Sequence, residues 1–338
     1  MSTPDLTCSR PLFGLSRGGV LEVVVYGLSF WKRQGEPLDA PEGSVPIATR
    51  SLLKPWQFLA AGASGPEPFW ALGFSSHSGQ PEQMSALGQL RRHVGVDESE
   101  LRCPACWPLD AKVAARMELG GEQPTRLHHP CAGKHLVMLA ACRRFGFPTV
   151  SYAEPGHPIH ERLAARITAA TGVEPGWVRD GCGLPTAVLP ASAHLALWEN
   201  LALDESPEAR ELERLWIKNP RLVGGVGRLD TELTEASGGT IVAKQGADGL
   251  LVVQSLPTAA EPVATCFLKL SAGDNGAHQG LALWATLRRV ERLNRPFERV
   301  LAWLDGRVRT WKADGHEIVL MPPPGLMPEG GRTHEEQQ

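Results

Sequence analysis

A serine and a lysine three residues apart form the first pattern in this chain with recognisable chemistry. Ser51 and Lys54 stand in the sequence Ser-Leu-Leu-Lys, where apolar residues begin to recur at helical spacing. Residues three apart on a helix share a face, so the hydroxyl and the amine come within reach of each other. A lysine whose pKa is lowered by burial or by nearby cations can take the proton of a serine nucleophile. The pattern predicts this pair; the alternative is a serine that caps a helix beside a solvated lysine.

A turn and a strand supply a second hydroxyl and a second amine. Ser76 and His77 lie in a turn rich in hydroxyl groups. Turns hold functional groups on a scaffold, although serine and histidine also occur there because they bond to the backbone. Lys244 lies on a predicted strand, where its side chain faces either a cleft or, as for most lysines, the solvent. Candidate clamps for a small zwitterion, which needs one cation and one anion close together, are Arg50, Asp180 and Asp230.

Three residues combine the ligand types of a metal site. Cys131 and Lys134 stand just before an apolar helical stretch, and Cys182 lies in a glycine-flanked loop. Two thiolates and one nitrogen donor suit zinc, and a lysine binds metal as the neutral amine, a form that metal binding favours. The alternative is that these are buried free cysteines. The pair Cys103 and Cys106, in a Cys-x-x-Cys sequence, competes as a zinc half-site or redox motif.

Composition excludes several classes of protein. The 338 residues are 42% hydrophobic, and Lys+Arg 34 against Asp+Glu 37 gives a net charge of -3, which argues against a basic nucleic-acid-binding surface. No apolar stretch approaches the ~20 residues that cross a bilayer, so we expect no membrane partner. The first residues lack the basic and apolar regions of a secretory signal, so we expect a cytoplasmic protein. Seven scattered cysteines do not suggest a disulfide framework in that compartment.

The elements that position these residues alternate between helices and strands. Gly18 and Gly19 before the strand 20–26, and Asp248-Gly249 between the strands 240–245 and 251–254, are hairpin signals. We also expect a hairpin through residues 303–311. Periodicity predicts helices at 52–60, 84–94, 111–119, 136–142, 157–171, 191–202, 207–218 and 276–293. The fold class is therefore mixed α/β, of α+β type, with an antiparallel sheet. We expect residues 1–320 to form a single catalytic unit of two intertwined lobes, and residues 321–338 to form a disordered tail.

Taken in order, the motifs of the chain resemble those of the rhizobial-type (class 3) L-asparaginases, whose core is similar to that of serine β-lactamases and glutaminases. The resemblance spans residues 17–293, and several linked motifs in order are more specific than any one of them. The motifs are Arg17-Gly18-Gly19, Arg50-Ser51-x-x-Lys54-Pro55-x-Gln57, Ser76-His77-x-Gly79, Cys131-x-Gly133-Lys134-His135, Pro155-x-His157-Pro158, Asp180-Gly181-Cys182-Gly183 and Lys244-x-Gly246-Ala247-x-Gly249.

The resemblance implies an antiparallel sheet flanked by helices with a helical subdomain, and an amidohydrolase that converts L-asparagine to L-aspartate and ammonia. It pairs Ser51 with Lys54 and Ser76 with Lys244, and we favour Ser51 as the nucleophile and Lys54 as its base. It also implies a homodimer and one modulating zinc ion per chain, bound by Cys131, Lys134 and Cys182. The residues that it implies along the substrate pocket are Arg50, His77, His135 and Asp180.

Two other functions fit parts of the pattern. A penicillin-recognising hydrolase also has Ser-x-x-Lys followed by Lys-x-Gly, but no Ser-Asp-Asn stands between the two here, and no export signal is visible. A non-catalytic binding protein could be stabilised by a zinc ion on four thiolates, with the serines only capping helices. Those thiolates would be Cys103, Cys106, Cys131 and Cys182.

Overall fold

Two antiparallel sheets organise the chain. The computed structural model describes residues 9–36, 44–273, 276–311 and 315–321. The strands are β1 (Arg10–Arg17), β2 (Val20–Arg33), β3 (Pro46–Ala48), β4 (Gly176–Arg179), β5 (Pro185–Pro190), β6 (Ile241–Gly246), β7 (Leu250–Ser255), β8 (Ala264–Leu270) and β9 (Glu317–Leu320). The larger sheet has the order β6-β7-β8-β2-β1-β9, and the smaller one has the order β3-β5-β4. The mixed α/β class with an antiparallel sheet is therefore confirmed.

Helices cover both faces of the larger sheet. They are α1 (Lys54–Ala60), α2 (Pro81–Val94), α3 (Ala111–Leu119), α4 (Ala132–Phe145), α5 (Pro158–Thr171), α6 (Ala191–Leu203), α7 (Pro207–Lys218), α8 (Pro220–Val223), α9 (Leu229–Ala236), α10 (Gly276–Leu287) and α11 (Arg295–Trp311). A 3-10 turn, Arg50–Leu53, leads directly into α1. None of the described helices is long and apolar enough to cross a membrane.

Alternation along the strands divides the core into two parts. Leu250 and Val252 of β7 pack with α1, α4 and the other helices of one side. Leu251 and Val253, which point to the opposite face, pack with α9, α10 and α11. Every residue of β7 is buried, so this strand lies between two helical layers rather than facing solvent. This central packing holds Lys244 on β6 and Lys54 on α1, two of the candidate residues from the sequence.

Both hairpins predicted at glycine-containing turns are confirmed. β1 pairs with β2 across Gly18 and Gly19, whose φ angles of 55° and 82° suit the mirror-image turns that join antiparallel strands. β6 pairs with β7 across Asp248 and Gly249, with φ angles of 62° and 79°. The second hairpin places Lys244 on an edge strand of the larger sheet, next to the 3-10 turn that carries Ser51.

The hairpin predicted through residues 303–311 is wrong, because this segment belongs to helix α11. Val300, Leu304 and Val308 recur every four residues and are buried, which is the spacing of a helix packed by one face on the sheet. The helix predicted at 276–293 ends earlier, at Leu287. Of the tail predicted at 321–338, residues 322–338 lie outside the described residues.

Candidate active site

Ser51 follows a residue held in an unusual backbone conformation. Arg50 has φ 48°, and left-handed geometry of this kind costs roughly 1–3 kcal/mol in a non-glycine residue, so it persists only where the surroundings hold it. The Arg50 amide donates to Thr186 Oγ1 at 3.0 Å, and Nε donates to Asp180 Oδ1 at 2.6 Å. Another guanidinium nitrogen pairs with Asp248. These contacts tie the turn before α1 to the smaller sheet and to the β6–β7 hairpin.

Lys54 is buried completely and donates to three oxygens. Its Nζ lies 2.9 Å from Ser76 Oγ, 2.5 Å from the Ser75 carbonyl oxygen and 3.1 Å from that of Pro130. Spacing predicted Ser51 as the partner of Lys54, but the described hydrogen bonds of the amine go to Ser75 and Ser76, 21 and 22 residues along the chain, and to Pro130, 76 residues along. Spacing along one helix considers only local neighbours, whereas a buried amine binds the acceptors that tertiary packing brings to it.

Ser51 and Ser76 nevertheless meet in one cavity. Both line a space of about 350 Å³, whose other walls include residues of the β6 end, α10 and the segment before α9. Ser76 is almost fully buried, and Ser51 is half-buried. Two hydroxyls therefore face a small molecule within that cavity, and one of them is hydrogen-bonded to the buried amine of Lys54.

Lys244 brings a second buried amine to the same region. Its Nζ lies 3.5 Å from Asp230 Oδ2 and has no hydrogen-bond partner among the described residues. Burial lowers the pKa of Lys244 to about 7; the negative charge of Asp230 opposes this shift, and the positive charges of Lys54 and Arg228 add to it. Burial and the charge of Lys134 likewise lower the pKa of Lys54. An amine with a lowered pKa can act as a base near neutral pH.

Asp230 is a counter-ion inside the protein. Its Oδ2 accepts from the amide of Gln245 at 3.1 Å, and its Oδ1 accepts from the amide of Thr231 at 3.2 Å. Burial opposes ionisation, but the charges of Arg228 and Lys244 hold the pKa of Asp230 below its usual value. The sequence suggested Asp230 as a substrate clamp; its described contacts instead balance the amine of Lys244.

The three predicted metal ligands form a buried, charged group. A hydrogen bond from Cys182 and the charges of Lys54 and Lys134 lower the pKa of the Cys131 thiol, while the same bond raises that of Cys182. Burial alone would lower the pKa of Lys134, but the charges of Cys182, Cys131 and Asp180 raise it. Asp180 Oδ2 lies 3.7 Å from both Lys134 Nζ and Cys182 Sγ.

The donor set of Cys131, Lys134 and Cys182 fits a thiophilic cation. Two adjoining thiols, one already of lowered pKa, and an amine are the soft and borderline ligands that zinc prefers. Among the described residues, no group of three or more His, Cys, Asp and Glu is arranged to hold a metal. The four-thiolate site that would include Cys103 and Cys106 is therefore not formed, and every described cysteine is free.

The other predicted pocket residues surround this group. His77 and His135 are fully buried, and burial followed by the charge of a neighbouring lysine lowers the pKa of His77 to about 3 and that of His135 well below its usual value. Both rings are therefore neutral. His135 Nδ1 lies 2.6 Å from the Tyr152 hydroxyl. Arg50 lines a second cavity, of about 690 Å³, together with Asp248.

A chain of three side chains in the cavity wall was missed at the sequence level. Arg228 Nε donates to Gln245 Oε1 at 2.9 Å, and Gln245 Nε2 donates to Gln279 Oε1 at 2.5 Å. Gln279 Nε2 donates to the Leu250 carbonyl oxygen at 2.9 Å. The signal for Gln279 was available, because an amide stands alone among apolar and small residues on the buried face of α10.

A sequence model of the family described as L-asparaginase II matches residues 14–317, a range that includes every site residue named above. No curated protein matches the chain at a significant level.

Proposed function

The chain belongs to the L-asparaginase II family, and from that premise we propose that it hydrolyses L-asparagine to L-aspartate and ammonia through an activated serine. The observation that carries the proposal is the shared cavity of Ser51 and Ser76, with the amine of Lys54 hydrogen-bonded to one of the two hydroxyls. A hydroxyl beside an amine of lowered pKa is the arrangement that covalent catalysis requires.

In this mechanism Ser51 is the nucleophile. Ser76 is almost fully buried and its hydroxyl is hydrogen-bonded to the Lys54 amine, whereas Ser51 is the more open of the two at the cavity. The Ser51 proton passes through the Ser76 hydroxyl to neutral Lys54 as Ser51 Oγ attacks the side-chain amide carbon of the substrate. The proton returns to the amide nitrogen as the C–N bond breaks, ammonia leaves, and water then hydrolyses the Ser51 ester to L-aspartate.

The two amines act as one titrating pair. Lys54 and Lys244 repel each other when both are charged, so one of the two protons is lost near neutral pH. The active form is the one in which the pair carries a single proton. Within the pair, the amine of Lys244 lies 3.5 Å from the carboxylate of Asp230, and the amine of Lys54 lies beside the Ser76 hydroxyl that relays the proton.

Two backbone amides are available to the developing oxyanion. The amide of Gln245 points away from β7 toward Asp230, and outward groups recur at every second residue of an edge strand. Ala247 follows β6 in the hairpin turn and lines the cavity. We assign its amide, with the amide of Ser51 at the start of the turn into α1, as donors to the substrate oxygen.

We also propose that Cys131, Lys134 and Cys182 bind one zinc ion per chain, which modulates substrate affinity rather than performing the chemistry. When bound, the ion supplies positive charge beside Asp180 and the neutral form of Lys134 becomes a ligand. The free state of the described cysteines supports a reducing compartment such as the cytoplasm. We further propose that the chain forms a homodimer, as its resemblance to the class 3 L-asparaginases implies.

The experiment that tests the function is ammonia release from L-asparagine and from L-glutamine, each with and without added zinc. We expect release from L-asparagine that Ser51→Ala abolishes. A nitrocefin assay covers the competing function: rapid nitrocefin hydrolysis without ammonia release from L-asparagine would identify a penicillin-recognising hydrolase instead.

A further inference from the structure

The cavity shared by Ser51 and Ser76 contains a cation that the mechanism above does not use. Of the described residues that line it, Arg228 is the one that carries a charge. L-asparagine has an ionised α-carboxylate at neutral pH, and burying such a group requires a charged or strongly donating partner. We propose that Arg228 binds the α-carboxylate and so determines specificity for an α-amino acid amide; this inference rests on the proposed function.

The guanidinium of Arg228 is oriented by its own contacts. Nε donates to Gln245 Oε1 at 2.9 Å, and Gln245 is fixed in turn by Gln279. The hydrogen bond and the ion pair described for Arg228 both involve Nε, and no described residue forms a hydrogen bond with Nη1 or Nη2. These two nitrogens form part of the planar fork that binds a carboxylate through two hydrogen bonds. The nearest described carboxylate oxygen, Asp230 Oδ1, lies 3.9 Å from Nε.

Arg228 is also fixed relative to Ser76. The loop 224–227 precedes it and docks on the segment that follows Ser76, where Ser78 Oγ donates to the Gly224 carbonyl oxygen at 2.8 Å. Gln80 bonds to both the amide and the carbonyl oxygen of Val226, at 2.8 and 3.1 Å. The loop therefore sets the separation between the Arg228 cation and the reacting groups, which a specificity contact requires.

Arg50, the arginine that the sequence suggested for this role, is already engaged. Its guanidinium binds two carboxylates, those of Asp180 and Asp248, and it lines the neighbouring cavity. A substrate carboxylate at Arg50 would compete with both acidic side chains, whereas at Arg228 it meets a cation whose described bonds go to an amide oxygen.

The test compares two substrates that differ only in the carboxylate. 3-Aminopropanamide is L-asparagine without its α-carboxylate. For Arg228→Gln we expect kcat/KM for L-asparagine to fall by about 100-fold or more. We expect kcat/KM for 3-aminopropanamide to change by less than about threefold, apart from the electrostatic effect that acts equally on both amides. Arg228→Lys keeps the charge but not the fork and should recover part of the loss. Arg221→Gln, at an exposed arginine paired with Glu235, is the matched control.

The substrate ratio separates this role from an electrostatic one. Arg228 lowers the pKa of Lys244, so its removal changes the rate for both amides by the same factor. Equal losses on the two amides would overturn the inference and leave the proposed function standing. Wild-type protein that releases no ammonia from L-asparagine contradicts the proposed function itself.

Calorimetry decides the role of Arg228 without turnover. L-aspartate and β-alanine, the products of the two amides, also differ in the α-carboxylate. We expect wild-type protein to bind L-aspartate more tightly and Arg228→Gln to lose that preference. A preference that is absent from the wild type, or unchanged in the variant, overturns the inference.

Discussion

Lys54 Nζ lies 2.9 Å from Ser76 Oγ, 22 positions along the chain, and none of its described hydrogen bonds goes to the serine three residues before it. This contact joins α1 to the loop that follows the 3-10 helix Pro68–Phe74. In the proposed mechanism Ser76 is a relay between Ser51 and Lys54, so both hydroxyls are needed for the same proton transfer.

The first prediction concerns the two serines. Ser51→Ala and Ser76→Ala should each lower kcat for L-asparagine by about 10³-fold or more. In the proposed relay both hydroxyls take part in one proton transfer, so the loss of either one stops that step. Ser51→Ala should change the free energy of unfolding by no more than ~1 kcal/mol, since it removes one partly exposed hydroxyl. Steady-state ammonia release and urea unfolding measure these effects, with the exposed Ser85→Ala as control. A Ser51→Ala enzyme that keeps more than about a tenth of the wild-type rate excludes Ser51 as the nucleophile.

The second prediction is a pH profile. Lys244 has a pKa of about 7, below the usual value of a lysine, so the lysine pair gains its active, singly protonated form as the pH rises through this value. We expect kcat/KM to increase to a plateau with a midpoint near pH 7. The same depressed pKa makes the free energy of unfolding rise with pH above about 7, because the unfolded lysine still binds a proton there. A flat profile between pH 5 and 9 would contradict this assignment.

The third prediction tests the counter-ion of Lys244. Asp230 raises the pKa of that amine, so Asp230→Asn should move the midpoint of the pH profile to lower pH. Asparagine can still accept the amide hydrogen bond of Gln245, which limits the structural change. Glu235→Gln, on the surface end of the same helix, should leave the midpoint in place. A midpoint that moves upward in Asp230→Asn is incompatible with the proposed charge pair.

The fourth prediction concerns the thiols. Cys182→Ala should abolish stoichiometric zinc binding and raise KM for L-asparagine while leaving part of kcat. The reason is that the ion is proposed to modulate substrate affinity and not to take part in the chemical step. Metal analysis and kinetics before and after chelation measure this, with the buried Cys142→Ala as control. Protein from which zinc has been removed should stay folded. Zinc retained by Cys182→Ala would indicate a site at Cys103 and Cys106.

The fifth prediction concerns how the site is packed. Gly133 lies in the first turn of α4 between two proposed metal ligands, and a Cβ there would stand 1.9 Å from the Leu72 carbonyl oxygen. Gly133→Ala should destabilise the protein by about 2 kcal/mol or more, because backbone must shift. Gly88→Ala, in the middle of α2 with its nearest new contact at 3.6 Å, should stabilise it by about 0.5–1 kcal/mol. Thermal unfolding that ranks the two variants in the opposite order would contradict the close approach.

The chain's local patterns determined much of its structure. Glycine pairs and Asp-Gly predicted both hairpins, because these turns need positive φ angles that few residues adopt. Apolar spacing predicted the amphipathic helices, including α7 with its bounds, because a helix must bury one face. It failed at α11, where a hairpin was predicted although Val300, Leu304 and Val308 recur at the spacing of a helix that buries one face.

Tertiary structure alone decided the partners of the reactive groups. Ser51, Lys54, Ser76 and Lys244 could be nominated from residue type, but the contact of Lys54 with Ser76 and that of Lys244 with Asp230 join distant segments. The pKa of each amine depends on burial and on those neighbours, neither of which is a local property of the sequence. For the same reason Arg228 became a candidate only when the fold placed it on the wall of the serine cavity.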